Sequence, residues 1–588
     1  MLKGLNMNTS EINRTLLLTW CDKIEKLQIK DSTSKGLFGG ILCEGCGYIH
    51  GRCADVIYPM VTSYKISGDE KFLDCAERVF YWQKNNVRKN NGFNVNDSFN
   101  TWLAVTEFYQ ISLGSTLLEL KSYIPNRLWD IWLEDFISVS ETIYQNKIFI
   151  YKKDTYIAAN YIIAYLASMA IAYKITGDQK YKDEALRNEA TILSLLTEDG
   201  HFYGEAGGFK ISKSGHRNID LGYNVEESIG NFSLYAHLLE RKNVLLKMAE
   251  SLKASAEFML PDGAWDNSWG SRAVKWTYYG SRTSDGAQLA FGLLAKYNPL
   301  FSEMCSRNSL LMLEMTQNGL LTGGKMYSEA DIEPCAHHSF THAKAAAYIV
   351  NNPIDKTETT SLIRENEYGI KHVESAGVTL ISFGKWRATL TNTEQIFAGN
   401  QTLTGGSISL LYHMDKGVVS VGNGYKFSLV EPTNMQIPMD IDNICQTLRF
   451  EKDGMTSMLD NDAKCDFFAD NTCITYQAQG NITDLNGNKG EKYRLEYRFE
   501  KDKLTVTLKA DTDGRFVLPL VCSSNRDFIL TDNVCTFNEI TVEANKKLMF
   551  KNGYYKNRIF NTAGGFMALP LYIDTKANEE ITLTISTY

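Results

Sequence analysis

Two periodicities divide the chain. From residue 9 to about residue 350, apolar positions recur at three- and four-residue spacing, as in Tyr156–Tyr173, Glu226–Leu239 and Ser284–Lys296. That spacing predicts helices with a buried face. From Gly369 onward the period falls to two. Val378–Ile381, Ser407–Leu411, Leu495–Phe499, Leu504–Leu508 and Ile581–Ile585 alternate or are β-branched, with turn residues between them. This half predicts an antiparallel β-sandwich. The polar stretch Asn351–Glu367, with Pro353, reads as the linker and places the two domains at 1–355 and 356–588.

One helical segment repeats. Ser63–Ala76 and Ala172–Ala185 share an aromatic-Lys-Ile run, then Gly-Asp, then a second run ending in Ala. In each copy Gly68 or Gly177 suits a helix C-cap, and Asp69 or Asp178 suits the N-cap of the next helix. A repeated helical hairpin predicts a stacked α/α array or toroid. The apolar helices come in pairs. First members begin near Arg52, Asp97, Thr155, Tyr223, Ser281 and His337; second members begin near Asp69, Asn126, Asp178, Arg241 and Asn298. Loops leading into first members are long and rich in Gly, Asn, His and aromatics. One mouth of the toroid is therefore expected to carry the site.

Composition narrows the function classes. The chain has 588 residues, 44% hydrophobic and 22% charged, which is ordinary for a globular protein and too long for one core. Net charge is −8 and no Lys/Arg-rich run stands out, so nucleic acid is not an expected partner. An anionic partner must be held by a few placed cations in a cleft. No stretch of roughly 18 apolar residues occurs, so no membrane span is expected. Leu16–Leu18 is too short for a signal core. The expected location is periplasmic or secreted if a signal was removed, and cytoplasmic if Met1 is the native start. The twelve cysteines are scattered, apart from Cys43, Cys46 and Cys53, and read as reduced, mostly buried thiols.

The candidate chemistry lies in the loops. Six of nine histidines (His50, His201, His216, His337, His338 and His342) fall in or just after them, whereas His237, His372 and His413 read as structural. Gly215–Ser228 gathers His216, Arg217, Asp220, Tyr223, Asn224, Glu226 and Glu227 ahead of an apolar helix, where free N–H groups suit an anion. The plainer reading is a capped helix start, with Asn224 and Glu227 as a capping box. In Trp276–Gly286, Tyr278, Tyr279 and Arg282 suit a sugar ring and a carboxylate, since Arg forks onto carboxylates. Asn100 and Trp102 open another inner helix, with Trp102 read equally as a sugar platform or a core residue. Asn160 and Tyr161 lie in the third. His338 and His342 stand one helical turn apart, but no HExxH glutamate lies between them. Cys43, Cys46, His50 and Cys53 are metal-type residues, yet all four fall within eleven positions, whereas structural zinc usually takes two separated pairs. Buried thiols are the favoured reading there, with a structural metal ion as the unsupported alternative, and no cofactor is expected. Serine-hydrolase, P-loop and Rossmann signatures are missing.

The order Asn160, His216, Tyr223, Arg282, preceded by the Asn100–Trp102 patch, resembles the α/α-toroid polysaccharide lyases, including the heparinase II/III-like and chondroitin/hyaluronate lyase groups. Ile49–Pro59 and His337–Ala345 also resemble heparinase-like lyases. The resemblance implies an N-terminal (α/α) toroid followed by a C-terminal antiparallel β-sandwich, and β-elimination beside a uronic acid. In that chemistry Asn160 and Arg282 neutralise the carboxylate. Tyr223, beside Arg282 or Arg217, acts as base and acid with help from His216. Asn100, Trp102, Tyr161, Arg217, Asn224, Tyr278, Tyr279, His337 and His338 are the expected substrate contacts. Many heparinase-like members carry Asn-His where this chain has Asn160-Tyr161, so the histidine must be His216 or one of His337 and His338. The expected substrate is an anionic uronate polysaccharide, first hyaluronan or chondroitin. Two other readings stand beside this one. A toroid glycoside hydrolase would use two carboxyls among Asp220, Glu226, Glu227 and Asp285 at roughly 5–9.5 Å; a carbohydrate-binding protein would need no catalytic groups.

Overall fold

Inner helices that are apolar on every side must be covered on every side, and the helical region achieves this by closing into a ring. The computed structural model describes residues 8–89, 92–93, 105–146, 158–205, 211–212, 214–354, 360–397, 400–401, 403–424 and 445–587. The inner helices are α2 (Ile57–Ser67), α4 (Val105–Glu119), α6 (Ala159–Thr176), α8 (Ile229–Leu238), α10 (Gln288–Leu294) and α12 (Ala336–Asn351). Each packs on the next, and α12 returns to α2. Their outer partners are α3 (Glu70–Trp82), α5 (Asn126–Asn146), α7 (Gln179–Leu193), α9 (Lys242–Ser255) and α11 (Pro299–Glu314). The sixth outer position is filled from the front of the chain by α1 (Thr9–Leu27), which packs against α12 and α11. The ring thus closes between the first helix of the chain and the last of the toroid.

Burial explains the two helix types. Along α6 every residue from Ala159 to Ala172 is buried except Tyr161. Its partner α7 buries Tyr181, Glu184, Ala185, Asn188 and Ile192, a three- and four-residue stripe facing the ring. The repeated hairpin has the expected caps. Gly68 and Gly177 end α2 and α6 at φ 72° and 73°, and Asp69 and Asp178 accept the backbone N–H of Lys71 and Lys180 at 3.1 Å. Inner helix α10 starts at Gln288, later than Ser281, because Gly280–Ser281 pairs as a short strand with Trp276–Thr277.

The β region is antiparallel in every described pairing. A small sheet holds β1 (Gly369–Val373), β2 (Val378–Phe383), β3 (Trp386–Thr391), β4 (Ser407–His413) and β5 (Gly417–Val421) in the order β5-β4-β3-β2-β1. A larger sheet pairs Lys489–Phe499, Lys503–Ala510 and Glu580–Thr587 side by side, with Leu495 opposite Leu508 and Leu508 opposite Ile581. The central strands of the small sheet, β2, β3 and β4, are buried on both faces. Ile381, Phe383 and Trp386 pack into the core shared with the larger sheet, whereas Val378, Leu380, Leu410 and Tyr412 belong to the toroid core. Arg364 pins the layers: its guanidinium donates to Asp266 (2.9 Å), Thr389 (3.2 Å) and the Ala388 carbonyl (3.0 Å). Among the described residues no helix is long and apolar enough to cross a membrane.

His201 is sealed in this core, edge-on to Phe258 at 5.8 Å, and burial pushes its pKa down to about 4. The unfolded chain binds that proton near pH 6.5, so the contribution is intact above pH 6.5 and is lost as pH falls toward 4. His201→Leu is expected to remove about 3 kcal/mol of the acid-side loss of stability between pH 7 and 4, measured as the wild-type minus variant difference in unfolding free energy. Parallel pH curves for the two proteins would disprove it.

Candidate active site

The N-terminal ends of the inner helices converge on one mouth, and Asp220 organises it. Its carboxylate accepts the backbone N–H of Tyr223 (2.9 Å) and of Arg272 (2.8 Å). Asp220, rather than an Asn224–Glu227 box, caps the turn Leu221–Tyr223. The next turn, Asn224–Ser228, is a π-turn before α8, a local widening frequent at functional sites. It aims Glu226 at Ser281 (N–H to Oε2, 2.9 Å) and Glu227 at Asn160.

Because Asp220 draws the two segments together, the Arg272 guanidinium lies over the Tyr223 ring, 4.2 Å from its centroid, with the Lys275 ammonium 5.9 Å away. The Tyr223 hydroxyl shares a 2.7 Å hydrogen bond with Thr283 Oγ1, to which Lys275 Nζ also donates at 3.4 Å. Tyr223 is 5% exposed. Thr283 sits at φ 63°, where a β-branched residue costs about 1–3 kcal/mol, and it is held there by contacts on both sides. Its carbonyl accepts from Arg52 Nη1 at 3.1 Å.

Asn160 occupies the first turn of α6. Its backbone N–H donates to Glu205 Oε1 (2.6 Å) and its side-chain amide donates to Glu227. Glu205 also faces Arg272 at 3.3 Å, so Asn160, Glu205, Arg272 and Tyr223 form one connected chain. Burial pushes the Glu205 carboxyl up to about 7 despite Arg272. Behind it, Arg52 pairs with Asp55 (2.5 Å), Asp285 and Glu227 (3.7 Å), and Lys344 pairs with Asp285 (2.8 Å) and Asp55 (3.5 Å). Two cations thus face three acids, and burial and the Asp285 charge push Glu227 well above the usual carboxylate range.

Several expected contacts are corrected by burial. Arg282 is 0% exposed, and its guanidinium donates to the Tyr327 hydroxyl and to the Thr562 carbonyl (2.5 Å), away from Tyr223. Asn224 is a brace, bonded to the Phe202 N–H (2.6 Å) and to the carbonyls of Phe202 (2.9 Å) and Asp220 (2.8 Å). Tyr278 donates to Asp262 (2.9 Å) and Tyr279 stands edge-on to His342, both inside the core. His337 and His338 are buried on α12, and burial pushes both well below the usual histidine range. His338 and His342 do not converge on a metal, because His342 is engaged by the His338 carbonyl (2.7 Å) and Glu226 (3.2 Å). His216 is half-buried, and the acids acting on it, Glu394 and Glu374, belong to the β region. Arg217 covers the Tyr203 ring at 4.1 Å, and half-buried Tyr161 lies beside Asn160. Asn100 and Trp102 lie outside the described residues. The acids a hydrolase would need are committed: Asp220 to the cap, Glu226 to Ser281 and His342, Glu227 and Asp285 to the Arg52 cluster.

A family model described as the ulvan lyase N-terminal domain matches residues 17–366, and one described as the ulvan lyase C-terminal domain matches 370–588. The chain belongs to the ulvan lyase family. It is 31% identical over 605 residues to the broad-specificity ulvan lyase of Formosa agariphila, covering 98% of this chain and 93% of that protein. Among solved structures, heparinase III superposes with a TM-score of 0.52 at 13% identity, over 95% of this chain and 78% of that one. The chondroitin AC lyase of Streptomyces coelicolor A3 superposes with a TM-score of 0.53 at 9% identity, over 100% and 80%. These two likenesses show the fold, a toroid followed by antiparallel sheets. The protein is a lyase that acts on an anionic polysaccharide.

In this ulvan lyase family member, Arg272, Lys275, Glu205 and Thr283 were not foreseen from sequence. A signal existed for two of them. Arg272 and Lys275 stand three apart between Trp269 and Trp276, just ahead of the mouth loop. Glu205 carried none, because its role depends on meeting both Asn160 and Arg272.

Proposed function

We propose that this polysaccharide lyase cleaves ulvan by β-elimination at its uronate residues, with Tyr223 as base and acid. The observation that carries the chemistry is the phenol bracketed by Arg272 and Lys275 and joined through Glu205 to Asn160. The uronate C5–H bond breaks as its proton passes to the Tyr223 phenolate. The electron pair forms C4=C5, the C4–O4 bond breaks, and the phenol returns a proton to O4. Arg272 and Lys275 stabilise the phenolate that each cycle regenerates. One N–H of the Asn160 amide goes to Glu227, and the second is the donor left for the substrate carboxylate, whose neutralisation stabilises the enolate-like intermediate. Asn160 and Tyr223 are both buried in the free chain, so the polymer must displace what covers them. Arg217 and Tyr161, half-buried beside the site, serve as sugar contacts in this reading.

The substrate follows the relative of 31% identity across nearly the whole chain, in place of the hyaluronan or chondroitin first expected, since 9% identity to a chondroitin lyase supports the fold alone. Incubating the protein with ulvan, hyaluronan and chondroitin and following the ultraviolet absorbance of the C4=C5 product tests both parts. Absorbance rising fastest on ulvan is expected. Chain shortening of ulvan without absorbance would refute elimination, and absorbance on chondroitin with none on ulvan would refute the substrate.

A further inference from the structure

The toroid closes where its first and last helices meet, and four metal-type side chains converge at that seam. Cys43, Cys46 and His50 come from the hairpin after α1, in which Leu42–Cys43 pairs with Tyr48–Ile49. Cys335 comes from the position just before α12. Their ligand atoms all lie within 4.8 Å of one another. Cys335 Sγ is 3.8 Å from Cys43 Sγ, 3.4 Å from Cys46 Sγ and 3.5 Å from His50 Nε2. A tetrahedral zinc ion with Zn–S near ~2.3 Å and Zn–N near ~2.0–2.1 Å sets its ligand atoms roughly 3.5–3.8 Å apart. The three separations from Cys335 therefore match those of ligands on a shared ion, and far exceed the ~2.05 Å of a disulfide.

We propose that Cys43, Cys46, His50 and Cys335 bind a structural zinc ion that clasps the ring at its seam. Three thiolates and an imidazole form a soft, four-ligand set suited to zinc, with no position left for a reacting water. The surroundings suit thiolate ligands. The Ala336 N–H donates to Cys43 Sγ at 3.3 Å, and Cys335 stands at the positive end of α12. Three thiolates around Zn²⁺ carry one net negative charge. The buried Arg282 guanidinium, within electrostatic reach of Cys335 and Cys46, supplies the opposing positive one. This gives a role to the Arg282 guanidinium, which turns from Tyr223 toward Tyr327 and Thr562. Cys53, the fourth member of the sequence cluster, is not a ligand; it is buried in the toroid core. The clasp also reaches the active site. Two residues after His50, Arg52 enters the Asp55–Asp285–Glu227 cluster behind Asn160.

The test is elemental analysis of the purified full-length protein. About one zinc per chain is expected, with removal by a strong chelator lowering the melting temperature by at least about 5 °C and added zinc restoring it. Cys335→Ser and Cys46→Ser should each lose the zinc, whereas Cys53→Ser should keep it. Should the ligand variants fail to fold, cobalt substitution of the wild-type protein decides. Intense thiolate-to-cobalt and tetrahedral d–d absorption supports the site, and octahedral or absent bands overturn it. A chain that takes up no zinc when zinc is supplied, or that carries a Cys46–Cys335 disulfide, also overturns the proposal.

Discussion

Tyr223→Phe is expected to lower kcat on ulvan by about 10²–10⁴-fold while KM changes little, because the hydroxyl is the proton carrier and the ring is the part that packs. The substitution keeps the aromatic face under Arg272 and removes only the buried hydroxyl bonded to Thr283, whose Oγ1 keeps Lys275 as a partner, so folding should survive. The uronate C5 proton is weakly acidic, and its removal demands both a base and a neutralised carboxylate. Losing the base leaves the second condition intact, so bound substrate accumulates uncleaved. A Phe variant with near wild-type turnover would move the base elsewhere, with half-buried His216 next in line. Arg272→Met offers a second reading of the same geometry. It removes the cation over the ring together with the partner of Glu205, so kcat should again fall. Arg282→Met, by contrast, should act through stability and zinc content and leave the KM of the folded fraction unchanged.

Arg52→Met is expected to destabilise the toroid by about 3–5 kcal/mol, read from the urea midpoint of the helical signal. Arg52 and Lys344 together balance Asp55 and Asp285, and all four are buried. Removing Arg52 leaves a buried aspartate without its counter-charge, and the penalty is desolvation of that ion more than loss of one bond. The control is Glu227→Gln. Burial and Asp285 already favour the neutral carboxyl, so the amide isostere should stay within about 1 kcal/mol of wild type. Equal losses in the two variants would mean that Glu227 is ionised and shares the Arg52 charge with Asp55 and Asp285.

Much of the architecture was legible in the sequence. The shift from a period near 3.6 to a period of two separated helices from strands, because burial of one face imposes its own repeat on each. The Gly68-Asp69 and Gly177-Asp178 junctions announced a hairpin with both caps. Tyr223 was singled out from the polar residues that precede an apolar run, and Asn160 from the resemblance to toroid lyases. Arg282 shows where that reasoning stopped. It shares a polar, aromatic loop with Thr283, yet its guanidinium turns into the interface with Thr562 while the Thr283 hydroxyl turns toward Tyr223. Local composition cannot separate two neighbours whose side chains leave in different directions.

The cysteines make the same point across a longer span. Cys43, Cys46 and His50 sit close together in sequence with Cys53 as the apparent fourth partner, but the residue that joins them is Cys335, 285 positions from His50. By itself the sequence determined which segments are helices, which are strands, and which loops bear polar groups, since periodicity and capping act over a few residues. Only the tertiary structure decided which polar groups meet. Ring closure between α1 and α12 brings Cys335 to the hairpin, and Asp220 brings Arg272 to Tyr223. Those meetings depend on packing between segments far apart in the chain, and no local pattern encodes them.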